Sequence, residues 1–336
     1  MLDLRRLRLL KEFADRGTIA ATAASLGYTP SAVSQQLAAL EREAGVVLLD
    51  RTGRSAELTD AGVRLAHHAE RILAQVEEAE ADLSAQALEP SGRVSVAAFP
   101  TAAAAFAPAL ARSLRAHPGL TLLLRQSPRD DSLRAVRSGE ADVALVDDWA
   151  GTLTASSTRS GARVPGSAAD PGDVPGSTSG VLQFYPLVRD ALVLVVPRGH
   201  PLADPAVPVD LREVSETSRW MAAPAGEPSR QAVDRLLASA GGVPAMPWEF
   251  EGLGTILSLV ARGIGVAAVP RLAVATGEAR VVVRELPGSD IARDVYAAAR
   301  TASVRRPSVA VILAALHDGA KHLPGRAASP LPGSRP

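Results

Sequence analysis

The chain has 336 residues, 47% of them hydrophobic, with 36 basic against 36 acidic side chains and no cysteine. That length allows two or three domains with real cores, the composition argues against wholesale disorder, and the missing thiols exclude disulfides and thiolate metal sites. A net charge of zero offers no bulk attraction to a polyanion, and no signal-peptide pattern or apolar run of about 18 residues is present, so the expectation is a soluble cytoplasmic protein without membrane contact.

The charge is unevenly spread. Residues 1–56 hold Arg5, Arg6, Arg8, Lys11, Arg16, Arg42, Arg51 and Arg54 against six carboxylates, whereas Glu57 to Glu89 is acidic. A modest basic surface at the front suffices for phosphate positioning, because specificity comes from placed contacts. Asp3 can cap a first helix that Gly17 stops, with Leu4, Leu7, Leu10 and Phe13 in register. Thr18 then caps a helix from Ile19 to Leu26, Gly27 supplies a turn, and Thr29 followed by Pro30 starts a second helix as N-cap and first-turn proline. Apolar Val33, Leu37, Leu40 and Ala44 line one face of that helix. Ser31, Ser34, Gln35 and Ala38 occupy the other. This is a helix-turn-helix pattern whose hydroxyls and amides, close to a helix N-terminus, suit base edges and phosphates in a major groove. The bland alternative is a helical hairpin in a larger core.

Residues Val46 to Thr59 are too short and turn-rich for a helix and read as a β-wing, with Arg51, Gly53 and Arg54 at its tip. The wing arginines either reach DNA phosphate or the minor groove, or decorate a solvated loop. From Asp60 to about Leu88 a long helix places Leu65, Ala69, Ile72, Val76, Ala79 and Leu83 at alternating spacings of four and three, a heptad seam suited to a second copy of the chain. The alternative is that it lies on its own domain. Glu89-Pro90-Ser91-Gly92 makes a hinge.

Beyond Arg93 strands and helices alternate. Strands are expected at 93–99, 120–126 and 141–146 and helices at 102–116 and 132–138, which argues for a parallel sheet with crossovers. Residues 150–180, rich in Gly, Ser, Pro, Ala and Thr, read as a flexible insertion. Strands follow at 184–188, 191–196, 248–251, 265–269, 281–286 and 295–299, with helices at 229–240, 255–262 and 308–317. The tail from Leu323 reads as disordered.

The run Ala20-Ala21-Thr22-Ala23-Ala24-Ser25-Leu26-Gly27-Tyr28-Thr29-Pro30-Ser31-Ala32-Val33-Ser34-Gln35-Gln36-Leu37, with Leu40-Glu41, Gly45-Val46, Leu48-Leu49-Asp50-Arg51 and Leu58-Thr59-Asp60-Ala61-Gly62, resembles the N-terminal domain of LysR-type transcriptional regulators. Pro30 stands where that family often has glutamine, and Leu49 where it often has phenylalanine. A weaker resemblance covers the C-terminal part. It implies a winged helix-turn-helix at 1–59, a linker and dimerisation helix at 60–90, and a two-lobed α/β effector-binding domain of periplasmic-binding-protein type at 91–322. The chain would cross between lobes near 188–191 and return near 276–280.

Ligands of open α/β sheets sit outside the carboxyl ends of strands, beside helix N-termini. Here those ends are Pro100, Thr101, Gln126, Ser127, Asp147 and Asp148 in one lobe and Ala223, Gly226, Glu227, Gly252, Leu253 and Gly254 in the other. By resemblance they flank a cleft that takes a small metabolite. Pro100, Thr101, Gln126, Ser127, Asp147, Gly226 and Leu253 are the candidate effector contacts, and Thr18, Thr29, Pro30, Ser31, Ser34, Gln35, Arg51 and Arg54 the candidate DNA contacts. Thr101 reads equally as a plain helix cap. The two aspartates would favour a cationic or zwitterionic effector unless they face solvent.

An enzyme finds no support. The six histidines lack zinc spacing, Gly176-Ser177-Thr178-Ser179-Gly180 misses the nucleophile-elbow pattern, and Gly263-Ile264-Gly265 has no phosphate-loop context. The expected partners are double-stranded DNA, a small-molecule effector, further copies of the chain as a homodimer and homotetramer, and RNA polymerase as a candidate contact. No cofactor is expected.

Overall fold

The computed structural model describes residues 1–50, 56–85, 90–150, 153, 182–244, 246, 248–275, 280–286 and 288–324. The wing tip with Arg51 and Arg54, nearly all of the 150–180 insertion and most of the tail lie outside the described residues.

The head is built from α1 (Leu4–Arg16), α2 (Ile19–Leu26), α3 (Pro30–Ala44) and a two-stranded antiparallel wing, β1 (Leu49–Asp50) with β2 (Glu57–Leu58). The helices start and stop where local chemistry dictates. The Asp3 carboxylate accepts from the Arg5 and Arg6 amides, and Thr18 and Thr29 accept from the Ala21 and Ala32 amides at 3.1 and 3.2 Å. Gly17, Gly27 and Gly45 end the three helices in left-handed conformation, which a side chain would oppose. Leu7, Leu9, Leu10, Phe13, Val33, Leu37, Leu40 and Leu49 form the core, whereas Leu4 is exposed, so Leu9 takes the place expected for Leu4.

The long helix α4 (Asp60–Ala85) begins against this core. Gly62 is needed there, because a Cβ would stand 2.2 Å from the Leu48 carbonyl oxygen. Ala69 is fully enclosed within its own head, and half-buried Leu65 packs on the same core. Ile72, Ala79 and Leu83 stay exposed and Val76 is half-buried. Farther along, α4 also packs on its own C-terminal lobe, against a 3-10 turn at Ser303–Arg305.

The first lobe holds β3 (Gly92–Ala98), α5 (Pro100–Ala116), β4 (Leu120–Gln126), α6 (Arg129–Ser138) and β5 (Val143–Asp148). Strand β3 pairs in parallel with both β4 and β5, as alternation requires. Next, β6 (Leu182–Val196) is one strand where the sequence suggests two. Its first half pairs with β11 (Ala292–Arg300) beside β5, and its second half pairs with β9 (Ala267–Pro270) and β10 (Val282–Arg284) of the second lobe. The chain thus crosses between lobes near Asp190, as expected. It returns near Ile291, whose carbonyl accepts from Leu192 N at 3.1 Å, rather than near 276–280, because β10 is still paired within the second lobe. β6 and β11 run antiparallel to their neighbours, so the sheet is mixed, not wholly parallel.

The second lobe adds α7 (Leu211–Thr217), β7 (Met221–Ala222), α8 (Pro228–Ser239), β8 (Trp248–Glu249), α9 (Leu253–Ala261) and α10 (Arg271–Ala275), and α11 (Pro307–Ala320) closes the first. Separate clusters of buried aliphatic side chains fill the two lobes, with Phe106, Leu145, Val295 and Ile312 in the first and Trp220, Leu194, Leu237 and Val266 in the second.

Candidate nucleic-acid interface and inter-lobe site

The reading face of α3 starts at its N-terminus. Thr29, Pro30, Ser31 and Gln35 are exposed and Ser34 is half-buried, while Val33, Leu37 and Leu40 are enclosed. With Thr29 as N-cap and Pro30 in the first turn, the helix presents amides, a hydroxyl and a carboxamide outward at its positive end. Thr18 is exposed and occupied as the cap of α2. Tyr28, 48% exposed in the turn before the cap, shares this surface. An aromatic residue in a helix-turn-helix turn with no core partner was the available signal for it. Supports from behind fix the helix: Arg6 donates to the Gln36 side-chain oxygen at 3.0 Å and pairs with Glu43, and the Glu41 carboxylate accepts the Leu48 and Leu49 amides at 3.0 Å each, tying α3 to the wing.

At the lobe junction stands a group the sequence reading did not single out. Arg293 on β11 is 3% exposed. It donates from Nε to Asp190 Oδ2 at 2.9 Å, from Nη1 to Asp147 Oδ2 at 3.2 Å and from Nη2 to Thr101 Oγ1 at 2.8 Å. Its guanidinium stacks over Phe99 at 4.8 Å and Trp149 at 5.7 Å, and the Trp149 indole N–H donates to Asp147 at 3.1 Å. Asp190 is fully enclosed and also accepts the Leu272 amide at 2.9 Å. Burial pushes its carboxyl above the ordinary range, against the opposing pull of Arg293 and that amide. The available signal was charge placed inside two largely apolar strands, Arg189 and Asp190 in β6 and Arg293 and Asp294 in β11.

Thr101 is therefore not a helix cap. Phe99 occupies that position, and the Thr101 hydroxyl oxygen is taken by Arg293. The two aspartates do not form a joint cation site. Both lie inside β5, Asp147 is committed to Arg293 and Trp149, and Asp148 is buried, accepting the Ala150 and Leu153 amides at 3.2 and 2.8 Å. Gln126 is exposed at the end of β4, and the Ser127 amide donates to the Ala98 carbonyl at 3.0 Å, which holds this turn beside Phe99 and Pro100.

Across the junction a small apolar depression lies at the N-termini of α8 and α9, where Leu253, Ala223 and Ser229 meet Leu192 and Pro270. Its rim is braced by Arg230, which donates to the Ala223 carbonyl at 3.2 Å, Asp234 at 2.8 Å and Glu249 at 2.7 Å. Gly226 is exposed with φ of 95°, in the turn before α8. Leu192 and Pro270 each lie two residues from a member of the Asp190–Leu272 hydrogen bond, so pocket and arginine cluster are neighbours at the crossing between lobes. Among the described residues no group of three or more His, Cys, Asp or Glu side chains could hold a metal ion, and no helix is long and apolar enough to cross a membrane.

Two family models match the chain. One described as a bacterial regulatory helix-turn-helix protein of the lysR family covers residues 4–63, and one described as a LysR substrate binding domain covers 87–159 and 173–321. Among similar proteins, an uncharacterized HTH-type transcriptional regulator, Mb2303c of Mycobacterium bovis, is 30% identical over 88% of this chain and 90% of its own length. YfeR of Shigella flexneri, likewise an uncharacterized HTH-type transcriptional regulator, is 28% identical over 84% and 82%. A solved full-length OxyR point variant from Pseudomonas aeruginosa has the same fold, with TM-score 0.61 and 20% identity over 94% of this chain and 98% of that one.

Proposed function

This chain belongs to the LysR family of transcriptional regulators and is not an enzyme, and from that premise we propose how it reads DNA and what governs the reading. The exposed start of α3 enters the major groove, with Gln35 and Ser31 toward base edges and Thr18, Thr29 and Ser34 toward the flanking backbone. Pro30 sets the angle of entry. Arg51 and Arg54 supply phosphate contacts. Two copies joined along α4 present two heads to two half-sites, and such dimers associate further through the lobes. The protein works in the cytoplasm, and RNA polymerase is a candidate partner at the promoter.

A small-molecule effector between the lobes modulates this binding. Thr101, Pro100, Gln126, Ser127 and Asp147 form one wall and Leu253 with Gly226 the other, so the site combines a polar side with an apolar pocket. The effector acts by binding one lobe arrangement better than another, because a ligand shifts an equilibrium only by its differential affinity.

The observation that carries the DNA reading is the outward amide and hydroxyl face of a helix whose N-terminus is capped and whose opposite face is enclosed. The test is selection of duplexes from a random pool by the purified full-length protein, followed by binding measurements over a range of salt. The expected result is a preferred twofold sequence and affinity that falls as salt rises. Gln35→Ala should lower discrimination between that sequence and a mismatched one by about 1 to 3 kcal/mol. An unchanged specificity ratio removes Gln35 from the base-reading set, and no selected sequence at all removes the function.

A further inference from the structure

The end of α6 away from the cleft is held by cations from two other parts of the chain. Buried Arg300 of β11 donates from one guanidinium nitrogen to the Val136 and Ala141 carbonyls, the second at 3.0 Å. From the head, Lys11 Nζ reaches the Arg137 carbonyl at 3.3 Å and Arg16 Nη2 reaches Glu140 Oε1 at 2.7 Å. Positive charge here complements the negative end of the helix. The connection continues into the helix-turn-helix: Arg16 also pairs with Glu12, which is 2% exposed and accepts the Ser25 hydroxyl of α2 at 2.9 Å. At its other end α6 starts directly after Ser127 and Pro128. One rigid element of about 15 Å therefore runs from the candidate effector turn to the head. Strand β11 runs alongside, with Arg293 at the lobe junction and Arg300 at the base of α6.

We propose that α6 is a strut coupling the inter-lobe cleft to the DNA-binding head of the same chain, with Glu140 as the positioning residue that sets the head through Arg16. This rests on the reading of Ser127 as effector-facing and α3 as DNA-reading. The contact does not cover the reading face, since Ser31 and Gln35 remain exposed with the head docked. Docking therefore orients the head and leaves it able to bind. Spatial continuity alone does not establish coupling, which requires a response at one end to an event at the other. Because coupling is reciprocal, DNA can serve as the probe.

The experiment is hydrogen–deuterium exchange on the full-length protein with and without the duplex it selects. Binding should protect residues 30–44 and also change exchange across 127–140. In Glu140→Ala, a substitution at the surface of the lobe, protection of 30–44 should persist while the change at 127–140 is lost; Glu140→Arg, which sets a second cation against Arg16, should behave the same way. A wild-type 127–140 segment indifferent to DNA, or a response that survives both substitutions, overturns the strut and leaves DNA reading standing. Absence of protection at 30–44 overturns both.

Discussion

Asp190 is enclosed with a guanidinium 2.9 Å away, and the arrangement is costly to break from one side. Truncating one partner of a buried ion pair typically costs about 3 to 5 kcal/mol, because the remaining charge is left without its counter-ion. Arg293 would keep Asp147 and Thr101, so Asp190→Ala should fall near the lower end, about 3 kcal/mol by urea unfolding. Asp190→Asn, which retains an acceptor for the Leu272 amide, should cost less. Equal losses from both would mean that the charge, not the Leu272 amide, matters. At His200 an acid-dependent loss of stability is expected. His200 accepts the Leu202 amide through Nδ1 at 3.1 Å and contacts Ser218 through Nε2 at 3.2 Å, and burial holds its pKa below the ordinary 6.5. A lowered value means the unfolded chain takes the proton first. The contribution is complete above about pH 6.5 and is lost as pH falls through that value toward the folded one. In His200→Asn, which keeps a capping acceptor without titrating, the fall in Tm between about pH 7.5 and about pH 5 should be smaller than in wild type. Superimposable pH profiles would exclude His200 as the source.

At the scale of elements, what the sequence discloses depends on how local the cause is. The head is legible nearly to the residue because its boundaries come from caps and turns within three or four positions: Asp3, Thr18, Thr29, Gly17, Gly27 and Gly45. β6 reads as two strands because Arg189 and Asp190 interrupt its apolar run, and nothing nearby reveals that Arg189 pairs with Asp294 and Asp190 with Arg293, more than a hundred positions away. For the same reason the site was half legible. The strand ends that face the cleft follow from alternation, but Thr101 meets Arg293 across 192 positions, a partnership that spacing does not record. α7, β7 and α10 span seven, two and five residues, too few to display a period, and were missed. The return between lobes was misplaced because Val282–Arg284 could belong to either lobe until its pairing with β6 is known.

For the whole molecule the open question is what covers the far part of α4. Its heptad pattern spans six positions, yet Leu65 and Ala69 serve the head of their own chain, and the helix also leans on its own first lobe. What remains is Ile72 at 38% exposure, Leu83 at 72%, the exposed Ala79 and half-buried Val76. Ile72, Val76, Ala79 and Leu83 together make an apolar stripe along one side of the helix, and such a patch marks an interaction surface that a second copy of α4 would cover while setting two heads at a fixed separation. Ile72→Lys combined with Leu83→Lys should then halve the mass in light scattering, the lobe-to-lobe contact being left in place, with unfolding of the head unchanged because neither residue lies in its core. Affinity for a twofold site should fall by about 100-fold, since linked binding gains two to four orders of magnitude over one head alone, and affinity for an isolated half-site should stay as it was. A variant that keeps both its mass and its twofold affinity would place the contact between copies on the lobes and leave α4 as a strut within one chain.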